Sequence, residues 1–312
     1  MNIRGVTKTL ILGTVIVLSC TVTAFCAETV EGNFKKGLAA INKKNYDEGV
    51  KYLRKAAEKR DKRALYHLGL MYLNGTGVQK DYQEAYRLFK QSATRGHTKA
   101  QLELGTMRFK GQGTSQSFRG ALKWYKKAAK KGDVLAQYNL GLMYFNGQGI
   151  DPNDKEAFKW FKKSAEQGYA AAQYNLGVMY NNLQGTQENY KKALIWYKKA
   201  AEQGEALAQY NLGLLYLNGQ GTPKLDKEAF KWFKKSAEQG KTLAQYNLGI
   251  MYGKGEGTPQ DYVLSYHWLN ISATNGNKKA ILSRDIVAGK MDPSQIGQAQ
   301  NMSREWFKKH GG

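Results

Sequence analysis

From residue 63 onward, apolar and polar positions repeat on a 36-residue cycle. A Leu-Gly pair recurs at Leu68-Gly69, Leu104-Gly105, Leu140-Gly141, Leu176-Gly177, Leu212-Gly213 and Leu248-Gly249, with 36 residues between successive glycines. Counted from that glycine, a small residue stands at +16 (Ala85 to Ser265) and Leu or Trp at +19 (Leu88, Trp124, Trp160, Trp196, Trp232, Trp268). Alanine follows at +24 and a second glycine at +27. The cycle predicts two helices per unit, and so an array of hairpins. Helix A, for example residues 135–145, sets Ala136, Leu140, Met143 and Tyr144 on one face by i, i+4, i+7, i+8 spacing and stops at Asn146-Gly147-Gln148-Gly149. Helix B is expected to start after an acidic cap, Asp154 or Asp226, with a capping box at Asp81-Tyr82-Gln83-Glu84. Small residues at +16, +23 and +24 let neighbouring helix backbones approach, and the Trp at +19 fills the space between them.

The first 27 residues follow a different logic. Arg4 and Lys8 precede an apolar run, Leu10 to Leu18, and a small or hydroxylated stretch reaches Ala24 or Ala27, which is the layout of a secretory signal peptide. Cleavage after either alanine stands. An uncleaved anchor over the charge-free stretch 9–27 and a lipoprotein signal at Val17-Leu18-Ser19-Cys20 are the alternatives. The chain is expected to be exported, to the periplasm or beyond.

Composition narrows the chemistry. The 20 Tyr, 11 Phe and 6 Trp supply enough surface to bury that disorder is excluded. Cys20 and Cys26, both in the leader, leave no disulfide framework and no Cys-built zinc site. The formal charge of +23 is largely repeated, because Lys126-Lys127, Lys162-Lys163, Lys198-Lys199 and Lys234-Lys235 recur on helix B, joined one turn earlier by Lys123, Lys159 and Lys231. This ladder reads either as attraction to an anionic lipid, an envelope or host-surface glycan or an acidic protein, or as a solvated outer face. No nucleic-acid partner is expected, since no reading motif is present. His67, His97, His267 and His310 occur singly, without paired ligand spacing, and the Gly-Gln-Gly turns lack the strand and the Lys of a phosphate loop. No catalytic residue, metal or cofactor is expected.

The run Ala-Gln-Tyr-Asn-Leu-Gly-Leu-Met-Tyr, then Asn-Gly-Gln-Gly, then Asp-Lys-Glu-Ala-Phe-Lys-Trp-Phe-Lys-Lys-Ser-Ala-Glu-Gln-Gly, resembles the Sel1-like repeat family, relatives of tetratricopeptide repeats with a longer loop inside the repeat. The resemblance implies an all-α, right-handed α-solenoid. It divides the chain into a leader (1–27), a tetratricopeptide-like hairpin (28–62), six 36-residue units (63–278) and C-terminal capping helices (279–312). It also implies a non-enzymatic adaptor that binds a partner protein or peptide. The repeats hold no cysteine, so nothing points to the disulfide-tied branch of the family.

By analogy with tetratricopeptide arrays, helix A lines the concave side. The +33, +1 and +5 positions then face a groove and become the candidate partner-binding residues. They are Tyr138, Leu142 and Asn146, then Tyr174, Val178 and Asn182, then Tyr210, Leu214 and Asn218, then Tyr246, Ile250 and Lys254. Tyrosine offers area, few rotamers and a hydrogen-bonding tip, and amides can bond a peptide backbone. The competing reading makes these residues seals between repeats, with Asn139, Asn175, Asn211 and Asn247 bonded to neighbouring backbone.

Overall fold

The structure is a computed structural model that describes residues 29–182 and 186–311. Residues 1–28, on which the expected leader, its cleavage sites and both cysteines fall, lie outside the described residues. Within them every regular element is a helix. After α1 (29–42) come α2 (Tyr46–Glu58), α3 (Lys62–Asn74), α4 (Tyr82–Thr94), α5 (Thr98–Lys110), α6 (Phe118–Lys130), α7 (Val134–Asn146) and α8 (Asp154–Glu166). Then follow α9 (Ala170–Asn182), α10 (Gln187–Glu202), α11 (Ala206–Asn218), α12 (Asp226–Glu238), α13 (Thr242–Lys254), α14 (Tyr262–Thr274), α15 (Lys278–Ala288) and α16 (Pro293–His310). The odd-numbered helices from α3 to α13 are helix A of successive repeats, and the even-numbered ones from α4 to α14 are helix B. The fold class is all-α, of the α-solenoid type built from repeated helix pairs. The helices form two compact units that divide inside α8, between Ala157 and Phe158.

Local chemistry sets the ends of each helix. Gly219 follows α11 in the left-handed region, φ 65°, and its N–H closes on the Leu215 carbonyl; the other helix A glycines repeat this stop. The starts of helix B differ from expectation. Asp154 and Asp226 are the first helical residues and not the caps. Asn153 caps α8, its side chain accepting from the Glu156 N–H at 3.0 Å, whereas Leu225 precedes α12 with no side-chain bond. One residue further in, the two aspartates still face the positive end of the helix dipole. At α4 only half of the capping box forms. Asp81 accepts from the N–H groups of Gln83 and Glu84 at 2.8 and 3.1 Å, but the Glu84 carboxylate turns to Arg87. The reciprocal box appears at Asp292 and Gln295, which open α16.

The Leu-Gly pair has a packing reason. The leucine is buried in every repeat, and the glycine leaves the helix A backbone bare where a helix B side chain rests, an aromatic ring at Gly69, Gly105, Gly177 and Gly213 and Leu269 at Gly249. A Cβ at Gly213 would lie 2.7 Å from the Phe233 ring, and one at Gly177 2.6 Å from Tyr197. The +19 tryptophans divide into two groups: Trp160, Trp232 and Trp268 are buried, while Trp124 and Trp196 are half-buried. Leu102, Leu104 and Met107 continue the core in α5.

Candidate functional site

The structure places the +33 tyrosines between two roles. Tyr138, Tyr174, Tyr210 and Tyr246 are all half-buried, as are Leu142, Val178, Leu214 and Ile250, while Asn146, Asn182, Asn218 and Lys254 are exposed at the ends of their helices. In the second unit, Tyr174 and Val178 pack on the cluster of Ala193, Tyr197 and Leu212. Tyr210 and Leu214 pack on the cluster of Ala229, Phe233 and Leu248. Tyr246 and Ile250 pack on Tyr266, Leu269 and Val287. The ring of Tyr174 lies 6.1 Å from that of Tyr197, and the ring of Tyr210 lies 5.9 Å from that of Phe233. One side of each tyrosine therefore belongs to the seam with the following layer.

Asn211 stands beside Tyr174 and Tyr197 and Asn247 beside Tyr210, while burial raises the pKa of all three phenols. These asparagines therefore lie against tyrosines of the preceding repeat. In the first unit Tyr66 holds the equivalent register, with its ring 5.9 Å from Phe89, 5.3 Å from His67 and 4.6 Å from His97. Two histidines that are 30 residues apart in sequence thus flank one ring. Burial pushes His97 down to about 4, with His67, Lys62 and Lys99 adding repulsion. As a neutral ring, its Nδ1 accepts from the Ala100 N–H at 3.2 Å and caps α5.

Sequence reasoning passed over a second polar seam. Gln101, Gln137, Gln173, Gln209 and Gln245 are buried. The Nε2 groups of Gln173, Gln209 and Gln245 donate to the carbonyls of Ala165, Ala201 and Ala237 at 3.2, 3.1 and 3.3 Å. Their Oε1 atoms accept from Gln203, Gln239 and Asn275, which follow helix B of the same hairpin, at 2.7, 2.8 and 3.1 Å. Gln101 lacks that second bond because Lys131, at the matching position, donates to the Gly96 carbonyl instead. The signal was present in the sequence as a glutamine recurring beside core alanine, where only a fully bonded amide is tolerated.

Near the start of helix A an apolar position also remains open. Leu135, Leu207 and Leu243 recur three residues before the tyrosine and are 44, 40 and 55% exposed. By i, i+3, i+7 spacing each shares a face with Tyr138 and Leu142, Tyr210 and Leu214, or Tyr246 and Ile250. A leucine in the first turn of a helix reads as core from sequence, which is why these residues were missed. Their recurrence at one register on the tyrosine side was the available clue.

The lysine ladder is partly engaged within the chain. Lys127, Lys163, Lys199 and Lys235 lie over Trp124, Trp160, Trp196 and Trp232 at 4.5, 4.9, 4.5 and 4.8 Å. Cation–π contacts of this kind are worth about 0.5–1 kcal/mol each at exposed sites. Lys162, Lys198 and Lys234 point to solvent. Between α14 and α16 an open cavity of about 830 Å³ is lined in part by His267, Met302 and Trp306. His267 is buried there, its Nδ1 lies 3.2 Å from the Ser303 hydroxyl, and burial lowers its pKa to about 4. Ser303 in turn donates to the Ala299 carbonyl at 2.9 Å, so the pair ties α14 to α16. Among the described residues no helix is long and apolar enough to cross a membrane.

The Sel1 repeat family model matches at 35–61, 62–97, 98–133, 134–169, 170–205, 206–241 and 242–277, so the shorter first hairpin counts as a repeat as well. Among solved structures, the chain is similar to c5321, a protective antigen present in uropathogenic Escherichia coli strains and displaying an SLR fold. That likeness has 33% identity and a TM-score of 0.66, over 90% of this chain and 69% of that one. It is also similar to a Sel1 repeat protein from Oxalobacter formigenes, with 30% identity and a TM-score of 0.66 over 77% of this chain and 96% of that one. No curated protein matches. Sel1 repeat proteins are in general scaffolds for protein–protein interaction, and the fold is typical of non-catalytic binding proteins. With seven matches in unbroken succession over residues 35–277, the chain belongs to the Sel1 repeat family.

Proposed function

We propose that the chain is a non-enzymatic scaffold, exported from the cytoplasm, that holds a partner protein or peptide on the helix A face of its second unit. The observation that carries this reading is the pair of exposed leucines, Leu207 and Leu243, beside half-buried Tyr210 and Tyr246 in consecutive repeats. Each pair presents an apolar side chain next to an aromatic ring edge on a rigid helix. A partner that covers such a surface gains apolar burial with little loss of side-chain freedom on this side. Asn218 and Lys254, exposed at the ends of the same helices, offer polar contacts at the rim. Export rests on the layout of residues 1–27, and the antigen role of the similar Escherichia coli chain is in keeping with it.

The tyrosines are poor test positions because they also hold the layers together. Leu207→Ser with Leu243→Ser leaves the seams intact, so capture of a partner should be lost while thermal stability stays the same. A second reading has the solvent-facing Lys162, Lys198 and Lys234 docking on an anionic lipid or glycan. It predicts binding that survives the leucine changes and collapses in salt, since exposed charges are screened within about 10 Å at 0.1 M.

A further inference from the structure

The unit built from α3 and α4 departs from the later ones on one wall. Position +19, which is Trp in the five later units, is Leu88 here. The register is the same: Trp232 packs with Leu212 and Leu215, and Leu88 packs with Leu68 and Met71. The lysine that lies over Trp124, Trp160, Trp196 and Trp232 from +22 is replaced by Gln91. Where leucine stands for an indole, space is left. A cavity of about 440 Å³ lies between α2, α3 and α4, floored by the buried Leu65, Leu68 and Leu88. A further departure faces the same cavity. Arg60 lines it together with Arg54 and Arg87, and it stands where the six later units have glycine. Its φ is 63°, against 81 to 92° in those glycines, a left-handed conformation that a residue with a Cβ adopts only at a cost. Arg87 is engaged, its Nε donating to the Glu84 carboxylate at 2.7 Å. Arg54 donates to a neutral group, the Tyr72 hydroxyl, at 2.9 Å. Among the described residues the arginine ion pairs are those of Arg63, Arg87 and Arg284, so Arg54 and Arg60 have no carboxylate partner.

We propose that this cavity binds a ligand made of one flat aromatic ring and one carboxylate. The ring takes the leucine floor, in the space that an indole fills in the later units. The carboxylate meets Arg54 and Arg60 at the exposed rim, since a planar guanidinium presents two parallel N–H groups to the two oxygens of a carboxylate. The charge of the lining sets the charge of the ligand. Three arginines and two glutamates, Glu58 and Glu84, line the cavity, which leaves one positive charge to be matched. A monoanion matches it, whereas a phosphate dianion would turn the excess into an equal deficit. The volume falls within the roughly 300–1,000 Å³ of small-molecule sites. Two sources carry this chemistry: a free aryl acid, and the end of a peptide whose last residue is Trp or Phe. The inference is independent of partner capture, which uses Leu207 and Leu243 of the second unit.

Titration of the full chain with indole-3-propionate, followed by the NMR signals of the ligand, is the test. The expected result is saturable binding with a dissociation constant of about 1 mM or tighter. Indole-3-propionamide, which keeps the ring and loses the charge, should bind at least about tenfold more weakly. N-acetyl-Gly-Gly-Trp separates the two sources: affinity equal to that of the free acid assigns the site to peptide ends, and weaker affinity assigns it to free aryl acids. Two variants return the site to the pattern of the later units. Leu88→Trp fills the cavity and should remove binding. Arg60→Gly relieves the left-handed backbone, should melt no earlier than the parent, and should weaken binding at least about fivefold. If Leu88→Trp melts early, Arg60→Gly decides alone. No saturable binding of the acid, equal affinity for the amide, or unchanged affinity in Arg60→Gly overturns the inference.

Discussion

Helix A and helix B solve the packing problem in opposite ways. Helix B of the repeats, as in α6 and α12, is strongly two-faced: Ala229, Trp232, Phe233, Ser236 and Ala237 go inward, and lysines and glutamates cover the rest. Helix A, as in α11 and α13, is apolar nearly all round, because it is wedged between its own helix B and the next layer. Its outer surface has no comparable polar coat. Leu207 and Leu243 stay exposed although the same register holds Lys99 in α5 and Lys279 in α15. Lysine is thus compatible with the position, so folding does not require the leucines. The lysines of helix B, by contrast, already have company in tryptophan rings and in pairs such as Lys231 with Glu228 at 3.7 Å. The comparison teaches that the helix with the plainer surface is the one with an unexplained apolar excess.

The sharpest way to break the contrast is to cut one residue from each helix. Trp232→Ala removes a buried helix B side chain and should cost about 3–5 kcal/mol, whereas Leu207→Ala should change stability by less than about 0.5 kcal/mol. Chemical denaturation of the two variants checks both values, and a large loss at Leu207 would make it a core residue. Acid comes next. His267, on helix B, and His97, capping a helix A, both have pKa values lowered to about 4 from 6.5. The unfolded chain therefore binds more protons between those limits. Stability is complete above about pH 6.5 and falls as pH drops toward 4, by up to about 3 kcal/mol for His267. Melting curves of the parent and His267→Asn between pH 7 and 4 should converge at the acid end.

Gly213→Ala probes the bare backbone of helix A against the ring of helix B. The added methyl meets Phe233 at 2.7 Å, and overpacking of that size costs about 1–3 kcal/mol. An unchanged melting temperature would mean that the ring moves aside freely. The smallest effect is on the outer face: Lys235→Ser removes the cation from above Trp232 and should cost about 0.5–1 kcal/mol, read by the same denaturation curves.

The 36-residue period, the two helices and the buried Leu-Gly pair were legible because each depends on local spacing and on steric rules that act within one hairpin. The seams between repeats were less so. Gln209 and Asn211 lie two residues apart on one helix, yet the first reaches Ala201 and Gln239 and the second reaches tyrosines of the preceding repeat. Such partners are fixed by how hairpins stack, which no single window of sequence contains. The same limit explains why the sequence leaves Tyr174 and Tyr210 open between a groove ladder and a seal, whereas the structure packs one side of each against a core cluster. It explains, too, why Leu207 and Leu243 went unnamed, since exposure at a helix start is decided by whether a neighbouring layer reaches that far.

The most direct measurement is affinity capture from envelope and host-cell extracts with the parent chain and with Leu207→Ser/Leu243→Ser, each washed at low and at high salt. The account predicts that one set of proteins is retained by the parent at both salt concentrations and is lost from the leucine variant at both. Retention by the variant, with release of the same proteins by salt alone, would contradict it and assign binding to the lysines of helix B.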